Sequence, residues 1–174
     1  MSTRFARERD MTPVVAAWIE AQGMTPRYEV MMPGGYCDIT ACALSVEKLA
    51  LREARKRGWR PLHTRLIAVE LKLSRIGEVI RQARENLHGA EESWIAMPLE
   101  IACRAAANPK HWDAGETQSY GDTRWIGILG VAANCEIIRP ARRSEWATAM
   151  AVERQVEKFW RDYRAGRRRG SHHA

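Results

Sequence analysis

The chain has 174 residues, 45% of them hydrophobic and 28% charged, the size and balance of one globular domain that needs no disulfide staples. No apolar run approaches the roughly 20 residues needed to span a bilayer, and the charged start Met1–Asp10 lacks the apolar stretch of a secretory signal, so a cytoplasmic location without a membrane partner is expected. The net charge of +7 favours a polyanionic partner, nucleic acid first. The cysteines Cys37, Cys42, Cys103 and Cys135 contain no Cys-x-x-Cys pair, which favours free thiols over a zinc site.

Thr12-Pro13 reads as a helix start, with a hydroxyl cap before proline at the first helical position. Val14, Ala17, Trp18 and Ala21 follow at helical spacing, and Gly23 is a suitable stop, so a helix is predicted over 13–22. Arg27–Met32 and Tyr36–Ala43 read as two strands joined by Pro33-Gly34-Gly35 in a hairpin. Residues 45–58 are helical in pattern, with Val46, Leu49, Ala50 and Ala54 on one face and basic residues on the rest.

Arg65–Leu73 alternates with period 2. Ile67, Val69, Leu71 and Leu73 form one face, and Leu66, Ala68, Glu70 and Lys72 the other. Ser74 reads as the cap of a helix whose Ile76, Val79, Ile80, Ala83 and Leu87 recur at helical spacing up to His88-Gly89. A short strand at Ser93–Met97, a helix at Leu99–Ala107, a polar loop over 110–123, a hairpin from Trp125–Val131 and Cys135–Arg139, and a helix over 144–163 complete the chain. Trp18, Trp94 and Trp125 sit in apolar patterns and read as core, while Trp59 and Trp112 lie in polar segments. The order helix, strand, strand, inserted helix, strand, helix, strand predicts an α/β fold with a central mixed sheet flanked by helices. One domain spans 1–165, with a basic insertion at 45–64, and 166–174 is a basic flexible tail.

Glu70 and Lys72 are two residues apart on a strand, so both point to one side. Charges on a buried strand are costly unless paired or bound to metal. Asp38 lies in an otherwise apolar strand, and if the two strands are neighbours it reaches the same face as Glu70. Two carboxylates make a hard-oxygen site suited to Mg2+, or Mn2+, with several waters retained. A lysine beside them can orient a water or stabilise charge on a phosphate. Each element also has a plainer reading: Glu-x-Lys as a surface ion pair, Asp38 as a turn-adjacent carboxylate, and the basic helix as a solvated face.

The motifs Gly34-Gly35-Tyr36-Cys37-Asp38 and Ile67-Ala68-Val69-Glu70-Leu71-Lys72, with a helix carrying Gln82 and then the strand Trp94-Ile95-Ala96-Met97-Pro98, resemble the PD-(D/E)XK nuclease superfamily over roughly residues 12–140. The resemblance implies a restriction-endonuclease-like core of αβββαβ order with the basic helix inserted, and hydrolysis of phosphodiester bonds. It implies that Asp38 and Glu70 hold the metal with the backbone carbonyl of Leu71, that Lys72 positions the attacking water, that Gln82 sits at the edge of the site, and that Glu20 on the first helix binds metal through water. Cys37 stands where the family has proline, and Glu70 follows Asp38 by 32 residues, a long gap occupied by the basic insertion. On the helical wheel Gln82 lies roughly 110° from the apolar stripe, beside Arg75 and Glu78, where a solvated role fits equally.

Arg52, Arg55, Lys56 and Arg57 in the insertion, Arg75 beside the site, and Arg167, Arg168 and Arg169 in the tail are the expected phosphate contacts. DNA is the expected partner and a homodimer is compatible with cutting both strands. RNA cleavage, a non-catalytic nucleic-acid-binding module and a basic packaging protein are the rival readings.

Overall fold

The computed structural model describes residues 5–43, 65–108, 123–144 and 147–170. The inserted basic helix with Arg52, Arg55, Lys56 and Arg57, and the segments holding Trp59 and Trp112, lie outside the described residues.

Six strands form one sheet in chain order: β1 (Met24–Met32), β2 (Gly35–Ala43), β3 (Leu66–Leu71), β4 (Glu92–Pro98), β5 (Gly127–Val131) and β6 (Cys135–Arg139). The β1–β2, β2–β3 and β5–β6 pairs are antiparallel, and β3–β4 and β4–β5 are parallel. A parallel pair needs a crossover connection. The helix α2 (Ile76–Asn86) lies between β3 and β4, and α3 (Leu99–Ala107) between β4 and β5, while α1 (Thr12–Glu20) precedes the sheet and α4 (Ala149–Gly170) follows it. The class is α/β, with a mixed sheet between helices.

The period-2 reading of β3 decides how the layers assemble. Ile67, Val69 and Leu71 pack with Ile39 and Ala41 against Met11, Val15 and Ile19 at the start of the chain and on α1. Leu66 and Ala68 pack with Cys42 on the opposite side, under Val152, Val156 and Phe159 of α4. The same side farther along is closed by Val79, Ile80 and Ala83 of α2 over Ile95, Met97 and Ile128. With helices on both faces, β3 and β5 are buried along their whole length, which explains their nearly continuous apolar sequence. Trp94 packs edge-on to Trp18, with ring centroids 5.3 Å apart. Its ring also lies flat on Gly127, its partner across the β4–β5 pair, where a Cβ would overlap the indole.

Several boundaries differ from the sequence reading. Thr12 is the first helical residue and not the cap, because a 3-10 turn at Glu8–Met11 leads directly into α1. Ala17, expected in the apolar stripe, is exposed. Ser74 does not cap α2; Arg75 takes that position with a left-handed backbone, φ 55°. The last helix begins at Ala149, not at Ser144, whose hydroxyl instead donates to the Leu87 carbonyl at 3.0 Å. It continues through Gly170, so residues 166–170 of the expected flexible tail are helical. Arginine is a good helix former and no proline interrupts the run. Among the described residues no helix is long and apolar enough to cross a membrane.

Candidate carboxylate–lysine site

The backbone ladder between β2 and β3 runs from Cys42↔Leu66 to Ile39↔Val69 and stops there. Side chains replace it beyond that point. The Cys37 thiol donates to the Val69 carbonyl at 3.4 Å, and the Leu71 N–H donates to Asp38 Oδ2 at 2.7 Å. On its other edge β3 stays tied to β4, with the Lys72 N–H donating to the Ala96 carbonyl at 3.1 Å. The candidate site therefore lies where the sheet loses one ladder and keeps the other.

The β1–β2 ladder is also broken at this level. Tyr28↔Ile39 and Val30↔Cys37 pair, but Glu29 and Asp38 between them do not, and Glu29 has φ 50°. A left-handed residue with a side chain costs roughly 1–2 kcal/mol. The break has a visible consequence. Cys37 and Cys42 pack in one cluster on the α4 side, although five residues of regular strand would send them to opposite faces.

Continuing the register places Asp38 beside Glu70, so each carboxyl group lies in the field of the other. Glu70 is 3% exposed, and Asn86 Nδ2 on α2 donates to its Oε1 at 2.6 Å. Burial first, then the neighbouring Asp38 charge, pushes Glu70 up to about 7, against the stabilising amide of Asn86. Burial also raises Asp38, opposed by the Leu71 N–H and by Lys72, while Glu8 adds to the rise. Lys72 Nζ lies 3.4 Å from Glu8 Oε2 and is mostly buried. Burial holds the Cys37 thiol well above its ordinary range, so it stays protonated as a donor between the strands.

Asp38, Glu70 and Lys72 thus come together as expected. Gln82 does not reach Glu70. Asn86, four residues later on the same helical face, makes that contact, while the buried Gln82 Oε1 has no hydrogen-bond partner among the described residues. Glu20 is placed away from the site. The Glu8 end of this segment meets Lys72, whereas Gln22 accepts from Arg65 Nη1 at 3.1 Å at the start of β3, the other end of that strand. Glu20, exposed at the end of α1, stands near Gln22 and not near Glu70. The acidic side chain that does approach is Glu8. The peptide of Leu71 faces Asp38 through its N–H, and the N–H and C=O of one strand residue point to the same side. Arg75 is exposed beside the end of β3, close enough to Glu78 for a loose pair at 3.8 Å.

Glu8, Asn86 and Cys37 were missed from sequence. Asn86 had a signal, its i+4 spacing from Gln82. Glu8 had none, since it stands in a charged stretch that reads as frayed chain.

Glu70 is a buried oxygen donor and Asp38 a half-buried one, each with few fixed partners, and among the described residues no group of three or more His, Cys, Asp or Glu is arranged to hold a metal ion. That donor set suits a hard cation which keeps most of its waters, as Mg2+ does.

No protein-family model matches this chain, and no curated protein matches it. Among solved structures it is similar to SPO1766 of Silicibacter pomeroyi, described as a protein of unknown function, with a TM-score of 0.55 and 18% identity over 91% of this chain and 85% of that one. The likeness is one of fold.

Proposed function

We propose that this chain is a metal-dependent nuclease with a restriction-endonuclease-like core, hydrolysing phosphodiester bonds in nucleic acid, DNA first. The observation that carries the reading is the juxtaposition of a buried carboxyl group, Glu70, with a half-buried one, Asp38, beside a mostly buried lysine at the end of a central strand. A buried carboxylate pair is unfavourable by itself, and such perturbed groups collect at functional sites. The two left-handed non-glycine residues of the described chain, Glu29 and Arg75, flank the same place, and backbone strain of this kind persists where a site requires it.

Mg2+ or Mn2+ held by Asp38, Glu70 and the carbonyl of Leu71 would supply charge neutralisation at a phosphate and Lewis-acid activation of water. The protein's own groups do the rest. The Leu71 N–H and the Asn86 amide fix the two carboxylates in orientation. Lys72 presents a cation that holds the attacking water and stabilises charge on a phosphate oxygen. Glu8 pairs with the long lysine side chain and restrains it. The surplus of Lys and Arg, net +7, attracts the polyanionic substrate.

The test is cleavage of supercoiled plasmid, single-stranded DNA, a four-way junction and RNA with Mg2+ or Mn2+, comparing the native chain with Asp38→Ala and Lys72→Ala. Loss of cutting in both variants, with circular dichroism unchanged, supports the assignment. A native chain that binds these substrates but cuts none of them overturns it.

A further inference from the structure

Seven of the 22 residues of α4 are Lys or Arg, against three acidic ones, Glu153, Glu157 and Asp162. The helix spends its apolar stripe on the sheet, where Val152, Val156 and Phe159 pack with Cys37, Cys42 and Ala68. At 100° per residue, Arg154, Lys158 and Arg161 fall within roughly 60° of one another and roughly 160° from that stripe. They therefore mark the face turned away from the sheet. Arg154 is exposed, and so is the Arg161 side chain, at 72%. Lys158 uses one of its three N–H groups on the Met31 carbonyl, at 2.8 Å. Glu157 is the acidic residue on this face, and Glu153 and Asp162 lie on its flanks. The helical backbone runs on through Gly170, about 33 Å in all.

This arrangement selects among acidic partners. A basic amphipathic helix that binds a membrane surface, or a partner's groove, does so by burying its apolar face there. In α4 that face is already taken by the sheet. Met150, at its start, is the large apolar side chain that it exposes among the described residues. A rigid row of cations without an apolar anchor matches a regular row of anions, and guanidinium groups bind phosphate bidentately. The helix also lies on the same face of the sheet as Glu70, since Ala68 beneath it is two residues from Glu70 on β3. We propose that the outward face of α4, through Arg154, Lys158 and Arg161, binds the sugar–phosphate backbone of the nucleic-acid substrate without reading its sequence. The proposal rests on the nuclease reading for the identity of the polyanion.

The experiment is fluorescence-anisotropy binding of a labelled DNA duplex over a salt series, with calcium replacing magnesium. The native chain is compared with a double variant in α4, Arg154→Gln with Arg161→Gln, and with a control, Arg104→Gln with Arg142→Gln, that removes two exposed charges elsewhere. All four side chains are exposed, so thermal melting of each protein is expected to be unchanged. The α4 variant is expected to lower the slope of log affinity against log salt by roughly 1.8, about 0.9 for each of two lost phosphate contacts, and the control to leave it unchanged. An equal fall in both variants reports net charge alone and overturns the proposal, as does an unchanged slope in the α4 variant. Binding of poly-glutamate or of phosphatidylserine vesicles that the α4 variant loses, while it keeps duplex binding, gives the face to another acidic partner and also overturns it. A native chain that cuts DNA while the α4 variant keeps its slope overturns this inference alone. A chain that binds through α4 but cuts no substrate overturns the nuclease reading and leaves this surface in place.

Discussion

At the scale of single residues, the Asp38–Glu70 pair makes the metal-free protein sensitive to pH. Glu70 has a folded pKa of about 7 against an ordinary value of 4.5, so the folded state holds its proton more tightly than the unfolded chain. Its contribution to stability is therefore fully present below about 4.5 and is lost as pH rises through about 7. Urea unfolding in the presence of a chelator is expected to show stability falling across that window, and Glu70→Gln is expected to flatten the curve. Millimolar Mg2+ is expected to restore stability above pH ~7 by binding only the folded site. A pH profile unchanged by Glu70→Gln would show that the pair does not titrate in this range. Asn86→Ala removes the amide that satisfies the buried Glu70 carboxyl. Leaving such a group without its hydrogen bond costs about 1–3 kcal/mol, which the same unfolding measurement reads directly.

At the scale of elements, the sheet depends on how closely β4 and β5 approach. Gly127 lies against the Trp94 ring, and Trp94 in turn meets Trp18 on α1. Gly127→Ala is expected to overpack this contact, costing about 1–3 kcal/mol, with a fall in Tm of roughly 2–4 °C per kcal/mol for a chain of this size. The near-UV circular dichroism of the tryptophans should change with it. The N-terminal 3-10 turn is an element with a chemical consequence, since Glu8 on it faces Lys72. Glu8→Gln leaves the fold's apolar contacts intact but frees the lysine. Cleavage is expected to fall without a matching loss of thermal stability, and equal stability with equal cleavage would remove Glu8 from the site.

At the scale of the whole molecule, the charge of +7 predicts nucleic-acid binding that weakens steeply with salt. Changing Arg167, Arg168 and Arg169 together to alanine is expected to reduce affinity uniformly across sequences. It should also lower the slope of log affinity against log salt by roughly 0.9 for each duplex phosphate that the variant no longer neutralises. An unchanged slope would show that the helical C-terminus takes no part in binding.

The strands, both hairpins, the α/β class and the approach of Asp38 to Glu70 were legible in the sequence, because periodicity and glycine-proline punctuation are local signals and a hairpin followed by an adjacent strand brings those two positions side by side. What the sequence could not decide depends on contacts between distant segments. Whether Gln82 or Asn86 touches Glu70 is set by how α2 crosses β3. Which acidic residue meets Lys72, Glu8 and not Glu20, is set by the direction in which the first segment runs along the sheet. The break at Glu29, which frees Asp38 from the ladder, leaves no mark in a pattern of apolar and polar residues. A positive φ at glutamate is a local cost that only the packing of the folded chain can impose.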